Sequence, residues 1–308
     1  MRKACLEEIY RLAKKDSRVV YIGSDLGAGT LSEFKRDFPE RFFMEGVSEA
    51  HIIGMASGLA REGKIVYVNT IATFITRRCF EQNVIDLGFH NAQVRLIGNG
   101  GGLVYAPLGP THLAIDDMAI MRTIPNMTVV ACSDELEMRR MMRQTVSYKG
   151  PIYIRLAKGG DKIVTDFPQS FKIGKAIDVE KEGDILFLTT GITLQMAMTA
   201  REILRRERIN AAILHVPTIK PLDRKRIVER AKKVKIIITL EEHSIIGGLG
   251  SAVAEVLSEE GLSGKAFKRL GLPDKFPEGY GSQKELLEKY ELTAKRIAGE
   301  VKKLKDKI

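Results

Sequence analysis

Five short β-branched runs, RVVYIG at 18–23, KIVYVN at 64–69, QVRLIG at 93–98, MTVVA at 127–131 and IYIR at 152–155, are separated by stretches with helical periodicity. Strands alternating with helices of that length need crossover connections, so the first half of the chain predicts an α/β unit on a mostly parallel sheet. One of these helices, SEAHIIGMASGLAREG, starts at Ser48, whose hydroxyl has N-cap chemistry. A second, shorter series follows, with strands in DILFLTTG, AAILHVPT and KIIITLEEH and a helical stretch after each. KAFKRLG at 265–271 predicts one more strand before C-terminal helices. Between the series, LAKGGDKIVTDFPQSFKIG at 156–174 breaks the rhythm with glycines, a proline and mixed polar residues, as a linker does. The expected organisation is two α/β domains, each a mostly parallel sheet flanked by helices: 1–160, a linker at 161–173, and 174–308.

Composition narrows the class of function. Hydrophobic residues at 44% and charged residues at 29% suit ordinary globular cores. No run approaches the ~18 uncharged apolar residues of a membrane span, and the N-terminal MRKACLEEIYRLAKKD places charges inside its only apolar stretch, unlike a signal peptide. The expectation is a cytoplasmic protein with no membrane partner. A net charge of +10 favours anionic ligands. It is spread over mixed-sign helix faces such as ILRRERIN, without zinc-finger spacing or an aromatic-rich RNA-binding strand, so nucleic acid is not the expected partner. Cys5, Cys79 and Cys132 are odd in number and lack C-x-x-C spacing; they read as packing residues in a reducing compartment.

Candidate chemistry is sparse. GNGGG at 98–102 follows a strand but fails the dinucleotide pattern at Leu103, and GGLGSAV at 247–253 fails it at Val253. Both read as turns where backbone passes closely or opens a helix. The five histidines form no H-E-x-x-H or similar cluster, so a histidine metal site is not expected. His112, in GPTHLAIDD, lies just past a strand and a glycine turn, where parallel sheets place ligands; a helix-start histidine bonded to backbone is the other reading. Asp116 and Asp117 are adjacent, point to different helix faces, and at least one is structural. Glu49 sits in the first turn of a helix lined with small and apolar residues. It either complements the helix dipole or, buried at an interface, exchanges a proton with a ligand nitrogen.

G-V-S-E-A-H at 46–51, followed by I-I-G-M-A-S-G-L-A, resembles the G-I-x-E-x-H segment of the transketolase group of thiamine-diphosphate enzymes, which includes deoxyxylulose-phosphate synthase. A-T-F-I-T-R-R-C-F-E-Q at 72–82, G-P-T-H at 109–112, I-P-N-M at 124–127, C-S-D-E at 132–135 and G-P-I-Y-I-R at 150–155 are similar to that family in the same order. T-T-G-I-T at 189–193, P-T-I-K-P-L-D at 217–223 and E-E-H-S-I-I-G-G-L-G-S-A-V at 241–253 extend the resemblance over nearly the whole chain. It covers the pyrimidine-binding and C-terminal domains only. The family's G-D-G motif with its downstream asparagine, which holds magnesium and the cofactor diphosphate, has no counterpart: G-D occurs at 160–161 and 183–184 without the following glycine.

The resemblance implies a C-terminal section of a split transketolase that transfers a two-carbon ketol unit from a ketose to an aldose. It implies thiamine diphosphate, with Mg2+ ligands on a partner N-terminal subunit, and a heterotetramer. Glu49 matches the catalytic glutamate, whose proton, shared with the pyrimidine ring nitrogen, favours the tautomer that activates the thiazolium carbon. Phe74 and Phe80 match aromatic positions that stack on the pyrimidine, with core packing as the other reading, and Arg77 stands where members carry an aromatic or an arginine. His112 matches the histidine that faces substrate oxygen, and Arg155 the arginine that receives the sugar phosphate. Two positions depart from the pattern: Pro107-Leu108 replaces an acidic pair, and Gly100 replaces a histidine. Both bear on sugar and phosphate contacts, so a substrate other than the usual pentose phosphates, still anionic, is expected. The second domain reads as architectural, with Glu241-Glu242-His243 a hydrogen-bonding group at a strand end. A beta subunit of a 2-oxoacid dehydrogenase and a non-catalytic partner subunit of the same fold are the alternatives.

Overall fold

The computed structural model describes residues 1–24, 29, 31–157, 159, 161–167 and 171–307. The predicted linker at 161–173 therefore falls partly outside the described residues, as does Gly160 of the G-D pair.

All five predicted strands of the first series form. They are β1 (Val19–Gly23), β3 (Ile65–Ile71), β4 (Val94–Asn99), β5 (Thr128–Ala131) and β6 (Ile152–Leu156), with a short β2 (Phe42–Met44) before β3. The second series contributes β7 (Ile177–Glu180), β8 (Ile185–Thr189), β9 (Ala211–His215), β10 (Thr218–Lys220), β11 (Ile236–Ser244) and β12 (Ala266–Leu272). The first sheet has the order β10-β5-β6-β4-β3-β1-β2 and the second β12-β11-β8-β9-β7. Pairing is parallel except where β10 joins β5 and β7 joins β9. Both sheets carry apolar clusters on both faces, which is why the inner strands read as near-continuous β-branched runs. Among the described residues no helix is long and apolar enough to cross a membrane.

Three local expectations change. AAILHVPT is not one strand: β9 ends at His215 in the second sheet, and β10 crosses to lie antiparallel to β5 in the first. Ser48 precedes helix Glu49–Arg61, but its hydroxyl donates to Glu45 O at 2.9 Å and makes no cap bond to the helix. The 72–82 segment is not a regular helix either. Two wide π-helical stretches, Phe74–Arg78 and Asn83–Phe89, flank a single α turn at Phe80–Gln82. Side chains satisfy carbonyls in the wide turns: Asn83 Nδ2 and Cys79 Sγ both donate to Ile75 O. Such π insertions are frequent at functional sites.

The two sheets are tied together by side chains as well as by β10. His215 at the end of β9 reaches Glu137 of helix Glu135–Thr145 at 3.2 Å and Thr189 at 2.9 Å. Leu103, Ala106 and Leu113 of the first unit share an apolar cluster with Leu272 and Leu286 of the second. The strand ends of β8 and β9, the usual ligand position in an open sheet, thus serve for docking.

Candidate active site

Glu49, Phe74 and His112 come together, and the group that joins them is Arg78. Helix Glu49–Arg61 starts beside the C-terminal end of β3, and the Glu49 side chain is only 2% exposed. Its Oε1 accepts from the Thr70 hydroxyl at 3.4 Å, which in turn accepts from Ser24 at 2.9 Å. Its Oε2 accepts from Arg78 Nη1 at 2.7 Å. The Arg78 guanidinium carbon lies 4.2 Å from the centre of the Phe74 ring, a cation–π arrangement. Phe74 meets the His112 ring edge-on at 5.1 Å. His112 sits in the tight turn Pro110–His112, with Nδ1 3.0 Å from the Thr111 hydroxyl.

Arg77 and Phe80 do not join this group. Arg77 points to Asp116 at 3.8 Å, and burial raises the Asp116 carboxyl above its ordinary value while Arg77 opposes the rise. Phe80 packs, partly buried, against the core cluster that holds Ile52, Ile53 and Leu87, so its core reading is the one the geometry favours. Arg78 was the residue missed in the sequence. The signal was available, because an arginine four positions after a helical phenylalanine shares its face.

Arg155, the residue matched to a phosphate-binding arginine, is held by groups from both units. The side chain is 6% exposed, and Nε donates to Asp117 Oδ2 at 2.8 Å while Nη2 donates to Ala114 O at 2.9 Å and Glu242 O at 2.8 Å. Tyr153 donates its hydroxyl to the same Asp117 oxygen at 2.7 Å. These bonds hold the Nε and Nη2 edge of the guanidinium at the domain boundary. Asp117 is the structural member of the acidic pair.

The two glycine turns explain themselves in the same region. A Cβ on Gly101 would lie 2.5 Å from the Arg155 side chain, and one on Gly102 2.4 Å from the Glu242 carboxyl carbon. Glu242 Oε1 accepts from Leu103 N at 3.0 Å and from Gln283 Nε2 at 2.8 Å; burial raises its carboxyl to about 6 although Arg155 opposes this. The turn at 247–250 opens helix Leu249–Glu259, whose first N–H groups are taken by Glu241: Oε2 accepts from Leu249 N at 2.7 Å and Oε1 from Gly250 N at 2.9 Å. Burial pushes Glu241 up to about 7, with those backbone donors opposing. His243 donates Nδ1–H to Ser244 O at 2.7 Å and accepts from Ala119 N at Nε2, at 3.3 Å, so it is the neutral tautomer. Burial holds its pKa below the ordinary value. Glu241-Glu242-His243 is therefore a hydrogen-bonding group, and among the described residues no cluster of three or more His, Cys, Asp or Glu could hold a metal.

A cavity of about 420 Å3 opens at the ends of β4 and β6, lined by Asn99, Gly100, Tyr105, Leu108 and Arg2 among others. It brings together the two positions at which the sequence departs from the family pattern.

Residues 1–160 match the transketolase pyrimidine-binding domain family, and residues 174–297 the transketolase C-terminal domain family. A protein of Methanocaldococcus jannaschii with the provisional name transketolase C-terminal section is 38% identical, over 98% of this chain and 96% of that relative. A 6-deoxy-6-sulfo-D-fructose transketolase subunit of a Clostridium species is 35% identical, over 96% of this chain and 92% of the relative. A solved split-gene transketolase, described as an inactive beta4 tetramer, superposes with a TM-score of 0.90 at 34% identity, covering 98% of this chain and 97% of that one. With both halves of its fold and nearly its full length accounted for, the chain belongs to the transketolase family, as a C-terminal section of the split kind.

Proposed function

We propose that this chain is the pyrimidine-binding section of a two-subunit, thiamine-diphosphate-dependent transketolase that moves a two-carbon ketol unit from a ketose donor to an aldose acceptor. The observation that carries the reading is the buried Glu49 carboxylate, one oxygen of which faces Arg78, with Phe74 and His112 beside it. These residues fit the pyrimidine half of the cofactor: a water-excluded carboxylate to bond a ring nitrogen, and an aromatic face to stack on. The bound cofactor supplies the nucleophilic carbon that takes up the two-carbon unit. Glu49 holds and returns a proton at Oε2. Phe74 orients the ring, and His112 donates or accepts a proton at a substrate oxygen through Nε2.

The diphosphate and its Mg2+ fall to a partner N-terminal subunit, and the assembly is a heterotetramer. The beta4 tetramer of the split-gene relative supports self-association through this chain. Three free, buried cysteines agree with a cytoplasmic setting. For substrate, the 420 Å3 cavity offers Arg2 and Asn99 but no acid at Leu108 and no imidazole at Gly100. An anionic group on the substrate in this cavity meets Arg2, with Arg155 Nη1 as the other cation the chain offers. The relative named for a sulfonated fructose supports an anion other than phosphate.

The test is reconstitution with the N-terminal subunit and steady-state kinetics on ketose and aldose phosphates, sulfonates and neutral sugars. An anionic substrate other than xylulose 5-phosphate or ribose 5-phosphate should have the highest kcat/KM. Those two giving the highest values would overturn the substrate reading, and no ketol transfer in a stable complex would overturn the function.

A further inference from the structure

A flat ring entering the proposed pyrimidine site needs two things from this chain, the Glu49 carboxylate and the face of Phe74. One side chain already holds both. Arg78 donates to Glu49 Oε2 at 2.7 Å while its guanidinium carbon lies 4.2 Å from the Phe74 ring centre. A guanidinium is planar, carries N–H donors along its edge and stacks on aromatic faces; an aminopyrimidine has the same three properties. An aminopyrimidine that stacks on that Phe74 face and bonds Glu49 would occupy the space that the guanidinium fills. The π turn Phe74–Arg78 brings the guanidinium there. The Arg78 side chain is 46% exposed against 2% for Glu49, so it enters from the solvent side and can leave without disturbing the core.

We propose that Arg78 is a built-in occupant of the pyrimidine site, which the aminopyrimidine must displace; the proposal rests on the pyrimidine-site reading of Glu49 and Phe74. A chain in which only a fraction of molecules have the site open shows a dissociation constant raised by the reciprocal of that fraction. Arg78 therefore lowers the affinity of the partnerless chain for the cofactor, and it keeps Glu49 paired until the ring arrives.

The experiment is equilibrium binding to the full chain of the aminopyrimidine alcohol that forms the pyrimidine half of thiamine, followed by ligand-observed NMR. Arg78→Ala should bind it roughly tenfold more tightly than wild type, the factor that about 1.4 kcal/mol of lost competition represents. Arg78→Lys, which keeps the charge without the planar fork, should fall between. Salt should tighten binding to wild type, by screening the half-exposed ion pair, and leave Arg78→Ala unchanged. Free guanidinium ion should compete with the probe in Arg78→Ala. Equal or weaker binding by a folded Arg78→Ala, checked by circular dichroism, overturns the proposal. Glu49→Gln in the Arg78→Ala background separates the two ideas. If it abolishes probe binding, the pyrimidine reading stands whatever Arg78 does; if binding persists unchanged, that reading falls and the proposal with it.

Discussion

At the residue scale, Glu49 and Arg155 show how burial separates two charged groups with similar expectations. Both lie near the C-terminal edge of the first sheet, but Glu49 has a half-exposed partner that can move and Arg155 has only buried ones. Glu49→Gln should leave folding and assembly nearly intact, since glutamine keeps the shape and the Arg78 left behind is half exposed and stays hydrated. It should slow hydrogen–deuterium exchange at the thiazolium carbon of the reconstituted enzyme by about 10²–10⁴-fold, the usual range for general acid–base help. Normal exchange would make Glu49 a dipole-complementing residue only. Arg155→Ala should behave in the opposite way. Removing it leaves Asp117 buried without its cation, a loss of about 3–5 kcal/mol that chemical denaturation would show. A variant of normal stability whose only defect is a raised KM for anionic substrates would give Arg155 the phosphate role. Gly109 is a third case: its φ of +79° and ψ of −176° are almost confined to glycine, and a Cβ would meet the Tyr280 ring at 2.7 Å.

At the element scale, helix Leu249–Glu259 starts on the carboxylate of Glu241 instead of on a ligand anion. Glu241 is raised by burial from 4.5 to about 7, so the folded chain holds that proton more tightly than the unfolded one. Its contribution to stability is then greatest below pH 4.5 and declines as pH rises through about 7. Glu242, raised to about 6, has the same sign; His243, lowered by burial, has the opposite one. Glu241→Gln should therefore remove one downward component from the stability profile. Denaturation midpoints of variant and wild type should shift in the variant's favour between about pH 4.5 and 7, apart from a constant offset for the altered cap. A difference independent of pH would mean that the backbone donors keep Glu241 ionised throughout.

At the scale of the whole molecule, the two units share β10, the His215–Glu137 contact, the Arg155 network and the Leu103–Leu113–Leu272–Leu286 cluster. They should unfold in one calorimetric transition, with calorimetric and van't Hoff enthalpies equal. Leu286→Ala should cost about 2–5 kcal/mol in that transition, as core truncations do. Two resolved peaks, of which Leu286→Ala moves one, would show the units to be independent. On the proposed reading, the lone chain should bind thiamine diphosphate weakly until the N-terminal subunit is added. Tight, Mg2+-dependent binding to the chain by itself would contradict this.

The sequence alone determined the α/β class, the inner strands and the family, because buried parallel strands leave continuous β-branched runs and the motifs survive in order. It also pointed to Glu49, Phe74 and His112, whose local contexts are short and contiguous and which the fold brings together. Only the tertiary structure decided the rest. Thr218 looks like the end of the AAILHVPT strand until its partner in another sheet is known. Arg95, inside a predicted strand, is tolerated at zero exposure because Thr145 O, Tyr148 O and Gly150 O accept its protons. Arg155 and Arg78 are both arginines beside candidate ligands, and their sequence neighbourhoods do not rank them. What does is distance to groups far along the chain: Asp117 and Glu242 O hold the first in the domain boundary, and Glu49 and Phe74 receive the second at the site. Local periodicity encodes elements and faces, whereas the pairing of charges across elements is written only in the packed fold.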